Sequence, residues 1–283
     1  MAKKKKATVK SANRKRSIPA QSIATVVFAV LATSIAILFL LKPQYFKSAA
    51  RKINRILVEN PQNSDIIFPE NDIVGIDIST YQGDIDWQKI SFRINSETKT
   101  LTKDESHPSR DIDFVFAKAT EGITIKDPKY DANRKSAKGK NILFGAYHFF
   151  SVTSDAKQQA QHFIQTAKLQ KGDLTPVLDV EYQGSLSKNE IRRRVLIWLT
   201  EVKKHFGVNP IIYTYANFHD EIFDTKEFEG YYFWLAHYGV SHPRRDCKFW
   251  QFTEDGVVYG IKGYVDIDIF LGSRHELDKF KLR

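Results

Sequence analysis

Two hydrophobic patterns divide the chain. The first is continuous. From Ser17 to Leu41 there is no charged residue, and within Ile23–Leu41 only Thr25, Thr33 and Ser34 interrupt the apolar run. The second begins at Ile73, where short apolar runs alternate with segments of helical period. Strands are predicted near Ile73–Ser79, Phe114–Thr120, Ile142–Phe149, Thr175–Glu181, Pro210–Tyr215, Phe233–His237, Lys248–Thr253 and Val265–Phe270. Helices are predicted over Asp131–Lys140, Ser154–Leu169 and Lys188–Phe206, the last two opening on capping signals. About eight strands with fewer helices, and links such as His237 to Lys248 too short for a full helix, predict an α/β fold. The expected form is an irregular TIM-like (β/α) barrel of parallel strands with fewer outer helices than strands. Ser96–Arg110 is polar, charged and unpatterned, which predicts an exposed loop inserted after the first crossover.

The continuous run is long enough to cross a bilayer, for which about 20 apolar residues suffice. It is longer than the apolar core of a cleaved signal peptide, and no small-x-small cleavage site follows Leu41. Lys3–Lys6, Lys10 and Arg14–Arg16 precede it without an acid, so this flank is expected on the cytoplasmic side. The expected layout is a basic cytoplasmic tail (1–16), one transmembrane helix acting as a signal anchor (17–41), a juxtamembrane linker (42–70) and an extracytoplasmic catalytic barrel (71–283). Such a chain is a single-pass protein of the cytoplasmic (inner) membrane.

Charge follows the same division. The chain carries a formal net charge of +10, but residues 1–58 hold 13 of its 43 basic residues and no acid, so the remainder is close to neutral. A nucleic-acid-binding face on the folded part thereby loses its main support. The single cysteine, Cys247, excludes a disulfide within the chain and reads as a packing residue near a strand start.

The candidate chemistry lies in Thr175-Pro-Val-Leu-Asp-Val-Glu181. Alternation along a strand puts Asp179 and Glu181 on one face. Two acids held close repel when both are ionised, which favours one remaining protonated, and a protonated acid beside an ionised one suits glycosidic cleavage. Taken alone the pair also fits a solvated strand end before the turn Tyr182-Gln-Gly-Ser185. The rest of the chain shifts that balance. Asp77 lies in the first predicted strand and Asp266 and Asp268 in the last, so barrel closure brings them toward the same pocket; Asp268 alternatively caps a turn or bonds to backbone. Aromatic residues gather at the same strand ends: Tyr147-His-Phe149, Tyr213-Thr-Tyr215, Trp234-Leu-Ala-His-Tyr238 and Trp250-Gln251. Singly each fits core packing. Together at one rim they would form a groove suited to sugar rings.

With these residues in view, the chain resembles glycoside hydrolase family 25, the Chalaropsis-type lysozymes. The resemblance runs from about Val74 to Gly272. It rests on Gly75-Ile-Asp-Ile-Ser79, Gln82-Gly-Asp-Ile-Asp-Trp87, Phe114-Val-Phe-Ala-Lys-Ala-Thr-Glu-Gly122, Gly145-Ala-Tyr-His-Phe149, Leu178-Asp-Val-Glu181, Trp234-Leu-Ala-His-Tyr238, Trp250-Gln251 and Gly263-Tyr-Val-Asp266. It implies a bacterial muramidase that cuts the β-1,4 bond between N-acetylmuramic acid and N-acetylglucosamine in peptidoglycan glycan strands. It further implies Glu181 as general acid, Asp179 orienting the substrate's acetamido group, and Asp77 and Asp266 as further pocket acids. Tyr147, Phe149, Tyr213, Trp234, Tyr238 and Gln251 are the expected sugar-binding residues. The expected enzyme is a monomer with no cofactor, no metal and no nucleic-acid partner. Two departures stand out: the longer loop Ser96–Arg110, and Asp268 where the family more often has Asn.

Two other classes remain open at this level. One is a membrane-tethered wall-glycan-binding protein without turnover, for which the intact acids serve no purpose. The other is a metal-dependent hydrolase using Asp266, Asp268, His148 or His237, for which no His-x-x-x-His or Cys/His spacing is present.

Overall fold

A computed structural model of the chain describes residues 73–98, 100–243 and 246–283; the expected tail, anchor and linker lie outside the described residues. Among the described residues no helix is long and apolar enough to cross a membrane. The strands in chain order are β1 (Ile73–Ile78), β2 (Phe92–Arg93), β3 (Ser109–Arg110), β4 (Phe114–Glu121), β5 (Ile125–Lys126) and β6 (Leu143–Phe149). They continue with β7 (Val177–Asp179), β8 (Ile211–Tyr215), β9 (Phe233–Ala236), β10 (Phe249–Gly256) and β11 (Val265–Phe270). Three helices of ten or more residues cross between strands: α1 (Tyr130–Gly139), α2 (Ala156–Ala167) and α3 (Lys188–Phe206).

Eight strands close a barrel in the order β1-β4-β6-β7-β8-β9-β10-β11, β1 pairing with both β4 and β11. The expectation of a wholly parallel barrel is corrected at one strand: β11 runs antiparallel to β10 and to β1. The reason is length. Only residues 257–264 join β10 to β11, and a parallel return needs a crossover of about a dozen residues or more. A second correction concerns the segment Ser96–Arg110, expected as a wholly exposed loop, whose end forms β3 and pairs with β2 as a hairpin. Within the segment expected as an exposed loop, Asp104, Glu105 and Ser106 are exposed, but Leu101 is buried and bridges Ile94. Arg93 also lies over the Tyr259 ring, 5.3 Å from its centre, tying the hairpin to the β10–β11 link.

Alternation along each strand sorts side chains between two cores. Val74, Ile76, Val115, Ala117, Phe144 and Ile212 face outward, joining Phe163 of α2 and Trp198 of α3. Ile73, Phe114, Phe116, Val177, Trp234, Phe249 and Phe270 face inward and plug the barrel. Two glycines make room for this plug. A Cβ on Gly75 would stand 2.3 Å from the Phe114 ring, and one on Gly145 2.4 Å from the Phe116 ring. Helix ends obey local rules: Asp155 caps α2 by accepting from the Gln158 N–H, and Ser187 caps α3 by accepting from Glu190 N–H. Cys247 packs against the outer core, where burial pushes its thiol up to about 12.

Candidate active site

The plug fills the lower barrel, and the acids lie above it at the carboxyl ends of the parallel strands. Asp77 is the penultimate residue of β1, and because β11 is antiparallel its first residues reach the same rim, pairing Asp266 with Asp77 in register. Asp179 ends β7, and Glu181 lies past the last ladder residue. The extended course nevertheless continues, since Val180 N–H donates to Tyr213 O (3.0 Å) and the Thr214 hydroxyl donates to Val180 O (2.7 Å). Val180 therefore turns into the outer core, and its two acidic neighbours turn inward. The Tyr215 hydroxyl stands 3.5 Å from Glu181 Oε2. The charges of Glu181 and Asp77 both act on Asp179, and that of Asp266 acts on Asp268, one alternation below it on β11.

Burial dominates the electrostatics. It pushes the Asp77 carboxyl well above its ordinary range, the Asp268 and Glu181 charges push further, and a hydrogen bond from Gln251 pulls back. Asp179 rises for the same first reason, then from Glu181, with Lys118 opposing. Oδ1 of Asp179 is buried and accepts no hydrogen bond among the described residues. Burial and the Glu181 charge thus both favour the protonated form of Asp179.

The expected sugar-binding residues separate by depth. Phe149 and Tyr238 are half-buried at the rim. Tyr147, Tyr213 and Gln251 are buried just beneath and form supports. Gln251 Nε2 donates to Asp77 Oδ2 (2.7 Å), while Gln251 Oε1 accepts from the hydroxyls of Tyr213 and Tyr238. Trp234 lies deeper, stacked on Phe116 at 4.9 Å, and its indole N–H donates to Asp268 Oδ1 (2.8 Å). With 2 % exposure it offers no open face to a sugar.

Two rim residues escaped sequence reasoning. Lys118 sits inward on β4, 4.7 Å from the Phe149 ring centre, and its ammonium bonds Glu121 Oε2 at 2.7 Å. A register shift between Lys118 and Thr120 against β6 resets the alternation, so that Glu121 rather than Thr120 joins Lys118. The signal in the sequence was a lysine on the inward, otherwise aromatic face of Phe114-Val-Phe-Ala-Lys118.

Thr120 instead reaches His148 on the barrel's outer side. His148 Nδ1 lies 2.7 Å from the Thr120 hydroxyl, and Nε2 lies 3.1 Å from Gln159 Oε1, which also accepts from Ser151 N–H. Burial holds this imidazole neutral, down to about 3, so both ring nitrogens serve packing and neither faces the acids. Among the described residues no group of three or more His, Cys, Asp or Glu side chains is placed to hold a metal ion.

Comparison with known proteins places this geometry. The sequence profile described as "Glycosyl hydrolases family 25" matches residues 76–261. YegX of Escherichia coli K12 is 38% identical over 211 residues, spanning 74% of this chain and 73% of YegX. Lysozyme M1 of Streptomyces globisporus is 30% identical over 224 residues, 72% of this chain and 70% of that protein. Among solved structures, a family 25 glycosyl hydrolase from Bacillus anthracis superposes with a TM-score of 0.65 at 26% identity, covering 79% of this chain and 100% of that one. A bacterial lysozyme from Streptomyces coelicolor gives 0.61 at 28%, covering 75% and 98%.

Proposed function

Because this chain belongs to glycosyl hydrolases family 25, and is therefore a glycoside hydrolase, we propose that it acts on peptidoglycan as a β-1,4-N-acetylmuramidase. The observation that carries this reading is the inward pair Asp179 and Glu181 on one extended segment at the open end of the barrel, Asp179 buried and Glu181 half-buried. In this reading Glu181 donates its proton to the glycosidic oxygen as the bond to the anomeric carbon breaks. The carbonyl oxygen of the substrate's own 2-acetamido group attacks that carbon, giving a bicyclic oxazolinium. Asp179, which burial and the Glu181 charge raise and Lys118 opposes, accepts from the acetamido N–H when ionised and balances the charge. Water then opens the ring, giving its proton to the Glu181 carboxylate and restoring the starting state. Asp77 and Asp266 complete the pocket, and Phe149 and Tyr238 provide its apolar edges.

The test uses purified peptidoglycan with the intact chain and with Glu181→Gln. Mass spectrometry of the released fragments, with and without borohydride reduction, identifies the new reducing end. N-acetylmuramic acid there, absent with the variant, is the expected result. N-acetylglucosamine would overturn the bond assignment. Sedimentation with the wall but no release would make the protein a binder.

The uncharged run 17–41 supports a signal anchor that holds this activity at the outer face of the cytoplasmic membrane. Extraction of the intact chain from membranes by detergent but not by carbonate is expected. Release by carbonate would remove the anchor from the proposal.

A further inference from the structure

One buried acid is not used by this mechanism. Asp268 has no solvent exposure, and its two oxygens have unequal surroundings. Oδ1 accepts the Trp234 indole N–H, while no N–H or hydroxyl among the described residues donates to Oδ2. A buried carboxylate oxygen without a donor is costly, so its neighbourhood must supply a proton. That neighbour is Asp77. Asp268 stands opposite Gly75 in the β1–β11 register, one alternation below Asp77. The carboxyls lie within hydrogen-bonding reach of each other, a contact that exists only when one is an acid. Gln251 fixes the other side of Asp77 through Oδ2.

We propose that Asp77 and Asp268 share one proton, and that Asp268 is a positioning residue which keeps Asp77 a neutral hydrogen-bond donor and holds the pair's single negative charge one layer below the rim. The inference rests on the assignment of Asp77 to the glycan site. Its direction agrees with the electrostatics: burial raises both groups, the Asp268 charge raises Asp77 and the Asp266 charge raises Asp268, and the hydrogen bond raises Asp77 while lowering Asp268, which places the proton on Asp77. Trp234 also steadies the charge on Asp268.

The surrounding ionisable groups sharpen the consequence. Lys118 faces the rim from β4, Tyr147 from β6, Asp179 and Glu181 from the β7 segment, Tyr213 and Tyr215 from β8, Tyr238 from beyond β9, and Asp266 from β11. Burial keeps the phenols of Tyr147, Tyr213 and Tyr238 protonated, so they cannot take up a displaced charge. Moving the charge from Asp268 to Asp77 therefore brings it toward Glu181, whose interaction with Asp77 is direct.

Asp268→Asn performs that move. The Asn carbonyl still accepts from Trp234, and its amide supplies the missing donor, leaving Asp77 ionised. The net charge is unchanged while its position shifts upward. The alkaline limb of the kcat/KM profile on peptidoglycan is expected to rise by about one pH unit in the variant, because a charge nearer Glu181 makes its proton harder to lose. Infrared difference spectra near pH 7 provide a readout independent of turnover. The unmutated protein is expected to show a buried carboxylic-acid carbonyl stretch that Asp268→Asn removes and that Asp179→Asn leaves in place. A profile unmoved by Asp268→Asn would overturn the proposal, as would an acid band unaffected by it. If the protein cut no peptidoglycan at all, the infrared result alone would still decide whether the proton is shared.

Discussion

The barrel interior holds two layers that differ in every physical respect except their strands. Below, Phe114, Phe116, Phe249, Phe270 and Phe280 pack edge to face or tilted at 5.0–5.7 Å, a dry aromatic plug. Above, Asp77, Asp179, Glu181 and Asp266 gather within two or three residues of that plug. The contrast teaches that the plug is part of the chemistry. Acids facing water ionise readily, and on exposed Asp84 and Asp86 hydrogen bonds from Lys129 and Lys89 hold each carboxyl below the usual range. Acids seated on an apolar floor lose hydration, and burial becomes the first cause of their upward shifts.

The largest effect should come from breaking the upper layer at its proton donor. Glu181→Gln is expected to lower kcat on peptidoglycan by about 10²–10⁴-fold, the usual contribution of a positioned acid, with little change in thermal midpoint. A drop in midpoint matching the loss of rate would show that Glu181 is mainly structural. Breaking the lower layer should do the opposite. Phe116→Ala removes a ring that touches Phe114, Phe249 and Trp234, and about 3–5 kcal/mol of stability should go with it. Denaturant unfolding measures the loss. Since Trp234 is the donor to Asp268, the surviving fold should also show a displaced pH profile.

A smaller effect tests the fit between layers. Gly75→Ala places a methyl 2.3 Å from the Phe114 ring, and relief by backbone movement should cost about 1–3 kcal/mol. For a domain of this size that is roughly 2–4 °C of midpoint per kcal/mol. Gly75→Ala combined with Phe114→Leu should recover part of it, and no recovery would place the strain elsewhere.

Much of this was legible before the coordinates. Alternation in Thr175–Glu181 put Asp179 and Glu181 on one side, and it survives even though the ladder ends at Asp179, because hydrogen bonds to Val180 keep the chain extended. The three long helices lie within two residues of their predicted bounds, since amphipathic period and capping are local properties. What was not legible depends on distance across the barrel. The strand reading ended at Thr253, whereas β10 runs to Gly256, and that extension leaves a link too short for anything but an antiparallel return. Trp234 and Asp268 were read as rim residues or a turn cap because period two gives the face of a residue and not its depth. The reset of β4 at Lys118–Thr120 is likewise set by the partner strand.

The finest test concerns pH and separates the layers thermodynamically. Asp179 is raised in the fold, so between its unfolded value, about 3.9, and its folded one the native state binds more protons than the unfolded state. Stability then falls as pH rises through that window and levels off above it, with a slope of at most about 1.4 kcal/mol per pH unit for one group. Asp179→Asn removes the group. The variant should match the unmutated protein near the unfolded value and become progressively more stable relative to it as pH rises through that window, while losing activity. An identical pH dependence in both would mean that Asp179 is no more desolvated than a surface acid, and the aromatic floor would lose its catalytic role. A gain in stability paired with lost turnover would instead show that the upper layer is held in a strained charge state by the packing below, with stability given up where the reaction needs a proton.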